Sequence, residues 1–200
     1  MKIVHFIHSH YHQLLLSAIL LISAIVALIL KDIFRKKPAN RRHQRNIESA
    51  DRISAKLSTF QEPFKEARQL TYLRKINPYI FEELLLTLLK EQGHDIIRNK
   101  SYSNDGGLDG KIQLKDGRIV LIQAKRYTGH VNNQHMKDFS ALIKTHRAAY
   151  GYFMHTGRTS KANLSLHRDT NLVIYSGSKL LGLLSKAAPI EVLKPGEESN

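Results

Sequence analysis

Three polar residues near the ends of two predicted strands have the types needed for metal-dependent phosphate chemistry. Asp109 lies at the start of the stretch LDGKIQL, and Gln123 and Lys125 lie at the end of RIVLIQAK. A carboxylate and an amide oxygen can hold a hard divalent cation such as Mg²⁺, to which the Ala124 carbonyl could add another oxygen. Lys125 could orient an attacking water or stabilise negative charge in the transition state. The same residues also fit a solvated polar rim, so their spacing alone leaves both interpretations open.

A fourth candidate, Glu82, lies in a predicted helix that precedes these strands. Asn77 is a suitable N-cap, Pro78 fits the first turn, and Gly93 fits just past the end. The apolar stripe of this helix consists of Phe81, Leu84, Leu85, Leu88 and Leu89. Glu82 falls at the edge of the stripe and Glu83 on the opposite side. We therefore expect a half-buried Glu82 that reaches the metal directly or through water, and a solvated Glu83.

The turn between the two strands decides which side chains face each other. A two-residue turn would place Asp109 opposite Ala124. A three-residue turn, with Gly117 in the left-handed conformation, places Asp109 opposite Gln123 instead. We predict the three-residue turn, in which Asp109, Gln123 and Lys125 project together from neighbouring strand ends.

Strand-like and helix-like segments alternate after residue 77. The stretch 118–125 has apolar residues on both faces, which is typical of a central strand covered on both sides. The predicted order is helix, three strands, helix, strand, helix, strand, helix. This order predicts an α/β domain with a mixed sheet flanked by helices.

Residues 79–186 resemble the catalytic domain of Mrr-type (type IV) restriction endonucleases, which belong to the PD-(D/E)xK nuclease superfamily. The resemblance covers just over half of the chain, and its segments come in the family order. The matching segments are FEELLLTLL (81–89), DGGLDG (105–110), LIQAKRY (121–127), GYFMHTGRTSKA (151–162) and LVIYSGSKLLGLL (172–184).

The resemblance implies a restriction-endonuclease-like core in which Asp109, Gln123 and Lys125 are the metal-binding and catalytic positions, assisted by Glu82. It also implies Mg²⁺- or Mn²⁺-dependent hydrolysis of DNA phosphodiester bonds and a role in restricting foreign or modified DNA. His155 departs from the family pattern, which commonly has threonine or another small residue there. We predict no separate DNA-reading domain before residue 77, so sequence or methylation specificity does not carry over.

The chain is strongly basic, and its charge is unevenly distributed. The 31 Lys and Arg residues against 17 Asp and Glu give a net charge of +14, which suggests nucleic acid or an anionic membrane surface as a partner. Residues 31–45 hold seven basic side chains against one acidic side chain. The absence of cysteine excludes disulfide scaffolds, thiolate zinc sites and cysteine nucleophiles.

The basic stretch follows an uncharged apolar run, Leu14–Leu30. The run is at the short end of membrane-spanning lengths, and no small-residue cleavage site follows it. We predict one transmembrane helix, although a buried core helix is an alternative. The positive-inside rule then places the rest of the chain in the cytoplasm. Together with the family resemblance, this predicts a single-pass protein of the bacterial inner membrane whose nuclease domain faces the cytoplasm.

The predicted organisation has four parts. These are an N-terminal tail and transmembrane helix over 1–30, a basic juxtamembrane segment and helical linker over 31–76, a nuclease domain over 77–188 and a tail over 189–200. Apolar residues recur at helical spacing on both sides of Pro63, which predicts two short amphipathic helices in the linker. They could lie on the membrane, on the domain or against a second copy, so membrane contact and a homodimer both stay open.

Basic residues of the domain are candidates for contacts with the DNA backbone, which proteins normally hold through Lys and Arg. The candidates are Lys100, Arg126, His130 and Lys161. The leading hypothesis is a membrane-anchored, metal-dependent DNA endonuclease. The alternatives are a non-catalytic module that tethers DNA at the membrane, and a membrane interaction protein whose nuclease fold is a relic. The intact metal-site candidates favour the enzyme, because a binding module has no need of all of them.

Overall fold

The computed structural model of the protein describes residues 2–99, 107–167 and 170–184, with side chains from residue 17 onward except those of 31–40 and 184. The predicted tail over 189–200 lies outside these residues. The elements in chain order are α1 Lys2–Ser58, α2 Lys65–Leu73, α3 Pro78–Glu91, β1 Asp95–Arg98, β2 Gly110–Gln113, β3 Ile119–Lys125, α4 Asn133–Thr145, β4 Tyr150–His155, α5 Lys161–His167, β5 Leu172–Tyr175 and α6 Gly177–Leu184.

The chain divides into two compact units, Met1–Gln44 and Arg45–Asn200. In the first unit, α1 is helical over all described residues, and every described side chain between residues 17 and 30 is exposed. Within the described part of the chain, no helix is both long and apolar enough to cross a membrane. The predicted transmembrane helix over 14–30 is therefore not supported by the structure, and the side chains of 14–16 lie outside the described ones.

Five strands of the described chain form one sheet in the second unit, in the order β1-β2-β3-β4-β5. β1, β2 and β3 pair antiparallel, whereas β3, β4 and β5 pair parallel. Each parallel connection passes through a helix, α4 after β3 and α5 after β4. This arrangement confirms the predicted α/β fold with a mixed sheet flanked by helices.

The β2–β3 hairpin has the predicted three-residue turn. Leu114 N–H donates to Arg118 O at 2.8 Å, and Gly117 has a φ of +84°, a conformation that glycine adopts without steric cost. The ladder then pairs Gly110 with Ile122. β3 is the central strand, and its interior residues are buried on both faces. Its C-terminal end carries the predicted site residues.

α3 begins where the sequence predicts. Asn77 Oδ1 accepts the Tyr79 N–H at 2.9 Å, and Pro78 occupies the first helical position. The predicted apolar stripe is buried against the sheet. This packing fixes the rotation of α3 and so places Glu82 at the edge of the helix that borders the site.

The end of α1 belongs to the core of the second unit. Ala50, Ile53 and Leu57 are buried in one cluster with Leu73 of α2 and the apolar face of α3. Gln69 of α2 is also buried, and its Nε2 donates to Leu57 O at 2.9 Å. The first of the two predicted short linker helices is instead the C-terminal part of α1, and the second corresponds to α2. Both pack on the domain through these buried residues.

Candidate active site

The end of β3, the start of β2 and the edge of α3 enclose a cavity of about 180 Å³. Its lining residues are Glu82, Glu83, Asn99, Gly107, Leu108, Asp109, Ala124 and Lys125. The fold therefore brings four of the predicted site residues together: Glu82, Asp109, Ala124 and Lys125. Gln123 does not line the cavity, although Ala124, which follows it in the chain, and Gly107, which accepts a hydrogen bond from its amide, both do.

Asp109 is held where the β2–β3 ladder ends. Its N–H donates to Ile122 O at 2.9 Å, and its Oδ2 accepts the Ala124 N–H at 2.6 Å. The acceptor for this strand N–H is thus a side-chain carboxylate rather than a backbone carbonyl of the neighbouring strand. A hydrogen bond to an ionised acceptor is short and strong, so it holds the carboxylate against the end of the central strand.

Gln123 is almost completely buried, with 4% of its surface exposed. Its Nε2 donates to Gly107 O at 2.6 Å. Its Oε1 is buried and has no hydrogen-bond partner among the described residues. A buried acceptor left unpaired costs about 1–3 kcal/mol. This oxygen is therefore suited to a ligand that the described chain does not itself supply.

Glu82 is half-buried, and its electrostatic surroundings disfavour the ionised form. Burial raises the pKa of its carboxyl to about 8, and the negative charges of Asp109 and Glu83 act in the same direction. The positive charges of Lys125 and Arg126 act against this shift. The carboxyl is therefore mostly protonated at neutral pH, and a divalent cation in the cavity would favour the ionised form.

Glu83 is buried, and the prediction that it is solvated was wrong. Its side chain is 2% exposed, and its Oε2 lies 3.0 Å from Arg98 Nε. Arg98 Nη2 also donates to Thr87 Oγ1 at 3.0 Å. β1 supplies this arginine on a side of α3 that helical periodicity alone assigns to solvent. A buried carboxylate needs such a partner, since an unpaired buried charge is strongly destabilising.

The oxygen atoms around the cavity fit a hard divalent cation. The candidate ligands are the carboxylates of Glu82 and Asp109, the unpaired amide oxygen of Gln123 and the carbonyl of Ala124. Within the ranges that the structure describes, no group of three or more histidine, aspartate and glutamate side chains is placed to hold a metal ion. A cation here would therefore depend on neutral oxygens and water as well as on carboxylates, as Mg²⁺ commonly does.

A second, larger groove of about 500 Å³ lies just after the end of β3. It is lined by Arg74, Arg126, Tyr127, Thr128, Gly129 and His130. Arg74 donates through Nε and Nη2 to Thr156 O at 3.0 and 2.8 Å, and Arg126 Nη1 donates to Arg74 O at 2.9 Å. These bonds fix two guanidinium groups on one groove, and two of the predicted DNA-contacting residues, Arg126 and His130, belong to it.

The other predicted DNA contacts lie elsewhere. Lys161 is exposed at the start of α5 and lines neither the cavity nor the groove. Lys100 lies outside the described residues. Sequence reasoning also missed Arg74 and Asn99, whose Nδ2 donates to Leu108 O. No local sequence signal points to either residue, because both gain their positions from contacts that are distant along the chain.

The second unit contains a domain of the restriction-endonuclease type. Residues 73–184, more than half of the chain, match the family model of Mrr catalytic domains, described as restriction endonuclease. The chain therefore belongs to the Mrr catalytic family of restriction endonucleases, and the resemblance found in the sequence is confirmed.

Solved structures that are similar to this chain include the MspJI restriction endonuclease in complex with a 27-mer oligonucleotide. The two share 25% sequence identity with a TM-score of 0.47, and the match covers 59% of this chain and 30% of that chain. The present chain thus corresponds to less than a third of that enzyme. No curated protein matches it.

Proposed function

We propose that the protein is a divalent-metal-dependent DNA endonuclease that hydrolyses phosphodiester bonds at the cavity and acts in the restriction or handling of foreign DNA. The observation that carries this proposal is the convergence of Glu82, Asp109, Ala124 and Lys125 on one cavity at the end of the central strand. The convergence lies within the part of the chain that matches the restriction endonuclease family.

The residues of the site divide the chemical work. Asp109, Glu82, the Gln123 amide oxygen and the Ala124 carbonyl would hold Mg²⁺ or Mn²⁺. Such a cation, when bound, polarises the scissile phosphate and lowers the pKa of a water. In the hydrolysis, the water oxygen bonds to phosphorus, one P–O ester bond breaks and the departing oxygen takes a proton. The Lys125 ammonium stabilises the negative charge that develops on the phosphate oxygens and orients the attacking water.

The groove beside the cavity supports contacts with the DNA backbone. Arg126 Nε is buried without a partner among the described residues, and Arg74 and His130 line the same groove. Arginine is suited to phosphate because its planar guanidinium matches two oxygens at once. We assign the groove to a phosphate next to the scissile one, and Lys100 and Lys161 to weaker, peripheral contacts.

Membrane attachment is a separate part of the proposal and is supported by sequence and exposure. The described side chains of 17–30 are exposed along an apolar stretch of α1, and contiguous exposed apolar surface usually marks a membrane or protein contact. The basic residues of 31–45 suit the cytoplasmic face of a bacterial inner membrane. Recovery of the full chain with salt-washed bacterial membranes supports attachment, and recovery in the supernatant contradicts it.

The cleavage test uses the full chain in detergent, because Ala50, Ile53 and Leu57 of α1 belong to the core of the nuclease unit. Supercoiled plasmid, methylated or not, is incubated with Mg²⁺ or Mn²⁺ and, in parallel, with EDTA. We expect metal-dependent nicking or linearisation, which Asp109→Asn and Lys125→Ala each reduce by on the order of 10³-fold. Thermal unfolding of both variants checks that the fold is intact.

Exposed residues of the β2–β3 turn provide matched controls. Asp116→Asn and Lys115→Ala change the same charges on the protein surface and are expected to leave cleavage unchanged. DNA binding without cleavage by the wild type would favour the tethering module instead. Equal cleavage by the wild type and both cavity variants would exclude the cavity as the active site.

A further inference from the structure

The amide of Gln123 is oriented by a single backbone carbonyl. Nε2 donates to Gly107 O at 2.6 Å, and Oε1 is buried without a partner among the described residues. A carbonyl oxygen only accepts hydrogen bonds, so the group that faces it must be a donor. The contact therefore fixes which end of the amide faces Gly107 and which end, the oxygen, is left for another partner.

This contact also selects the residue type at position 123. A glutamate there would turn a carboxylate oxygen towards Gly107 O, and two acceptors at about 2.6 Å repel each other unless one carries a proton. Gln123 satisfies the carbonyl and still presents a neutral oxygen. The surrounding backbone thus favours an amide at a position where added negative charge would, by itself, strengthen cation binding.

The close approach of the Gln123 amide leaves no room for a β-carbon on Gly107 unless the amide shifts. Its φ is +87°, and a β-carbon on this residue would lie 2.8 Å from Gln123 Nε2. The side chain of any other residue at position 107 would contact the Gln123 amide, the same group that donates to the carbonyl of residue 107. Gly117 has a similar φ of +84°, but a β-carbon there would meet no atom within 4 Å. Gly117 thus shares the backbone conformation of Gly107 without the contact.

We propose that Gly107, through its carbonyl oxygen, is a positioning residue that fixes the Gln123 amide oxygen as a neutral ligand and makes the site select an amide over a carboxylate. This inference rests on the proposed metal-dependent function. It assigns Gly107 no contact with the substrate. Its effect is exerted entirely through the orientation of Gln123.

Binding of Mn²⁺ to the metal-free full chain, measured by isothermal titration calorimetry without DNA, tests the proposal. Partners that orient a metal ligand typically contribute 10–100-fold to metal affinity. We therefore expect Gln123→Glu to bind Mn²⁺ at least about tenfold more weakly, although it adds a negative charge. Gln113→Glu, the same change at an exposed position of β2, is expected to leave the affinity unchanged. Thermal unfolding establishes that each variant is folded.

A second variant keeps the proposal testable if Gln123→Glu fails to fold. Gly107→Ala displaces the amide and is expected to weaken Mn²⁺ binding by about tenfold or more, whereas Gly117→Ala introduces equal backbone strain without that loss. Mn²⁺ binding by Gln123→Glu as tight as the wild type, or equal binding by the two alanine variants, overturns the inference alone. Failure of the wild type to bind Mn²⁺ overturns the metal dependence of the proposed function, and this inference with it.

Discussion

Two clusters of polar side chains lie at the ends of β3 and β4. They differ in whether their buried polar atoms have hydrogen-bond partners. Glu82, which lines the cavity, has a raised pKa beside the charge of Asp109, and Oε1 of Gln123, the residue before the cavity-lining Ala124, has no partner among the described residues. The second cluster surrounds His155, which pairs with Lys125 in the β3–β4 ladder. We call it the His155 cluster, and it consists of Tyr127, His135, His155, Thr156 and Thr159.

The polar groups of the His155 cluster have hydrogen-bond partners within the domain. Gly157 N–H donates to His155 Nδ1 at 3.2 Å, so Nε2 carries the proton and donates to Thr159 Oγ1 at 3.0 Å. Thr156 Oγ1 accepts the Tyr127 N–H at 2.9 Å and donates to the Tyr127 carbonyl at 3.0 Å. Polar groups buried with partners stabilise a fold, whereas those kept charged or unpaired mark a binding site. We therefore assign the His155 cluster to the structural scaffold and the cavity residues to the binding site, although both lie at the ends of the neighbouring strands β3 and β4.

The largest effect that we expect is a loss of stability when His155 is replaced. The side chain is fully buried, so His155→Ala leaves a cavity and removes the partners of Gly157 and Thr159. We expect the free energy of unfolding to fall by about 2–4 kcal/mol, measured by urea denaturation. Cleavage per folded molecule should be retained at low temperature. The exposed His146→Ala is the matched control, and an equal loss in both variants would contradict the assignment.

The two clusters should also respond oppositely to pH in the metal-free protein. The pKa of Glu82 is raised from 4.5 to about 8 by burial, so between these values the folded state keeps a proton that the unfolded chain has released. Stability therefore falls as pH rises through this range. Burial lowers the pKa of His155 from 6.5 to about 4, so its contribution is lost as pH falls through that range.

Thermal unfolding in EDTA from pH 5 to pH 8.5 measures the Glu82 effect. Glu82→Gln stays neutral throughout, so its melting temperature should exceed that of the wild type by a margin that grows as pH rises. The exposed Glu91→Gln on the same helix should show no such trend. If this difference in melting temperature shrinks as pH rises, the pKa of Glu82 is lowered rather than raised in the folded state, which contradicts the assignment.

Local signals predicted most of the scaffold of the site. The hairpin register follows from the turn residues around Gly117, and the start of α3 follows from Asn77 and Pro78. Both features depend on contacts between residues close in sequence, which a pattern can represent. Asp109 directly precedes β2, and its position beside the end of β3 follows from that register.

The parts that sequence reasoning missed depend on distant contacts. Glu83 is buried because Arg98 of β1 forms an ion pair with it. Arg74 lines the groove because its guanidinium donates a hydrogen bond to the carbonyl oxygen of Thr156. The Gln123 amide is oriented by Gly107, whose carbonyl oxygen accepts its Nε2–H. In each case the partner lies at least 15 residues away, beyond the reach of helical or strand periodicity.

The smallest expected effect concerns the groove, which borders both clusters through Tyr127 and Arg126. We expect Arg126→Gln, made in the inactive Asp109→Asn background, to weaken DNA binding by several-fold. Removing one phosphate contact should also lower the slope of log K against log salt concentration by about 0.9. Fluorescence anisotropy with a short duplex at several salt concentrations measures both quantities.

Arg118→Gln is the matched control for this change, because Arg118 is exposed on the hairpin and paired with Asp116. If Arg126 binds phosphate, its removal lowers affinity equally on duplexes of different sequence, since phosphate contacts carry no sequence information. A loss confined to one sequence would instead make Arg126 a base-reading residue. If Arg126→Gln loses no more DNA affinity than Arg118→Gln, the hydrogen bond from Arg126 to Arg74 has a structural role, as the hydrogen bonds of His155 do.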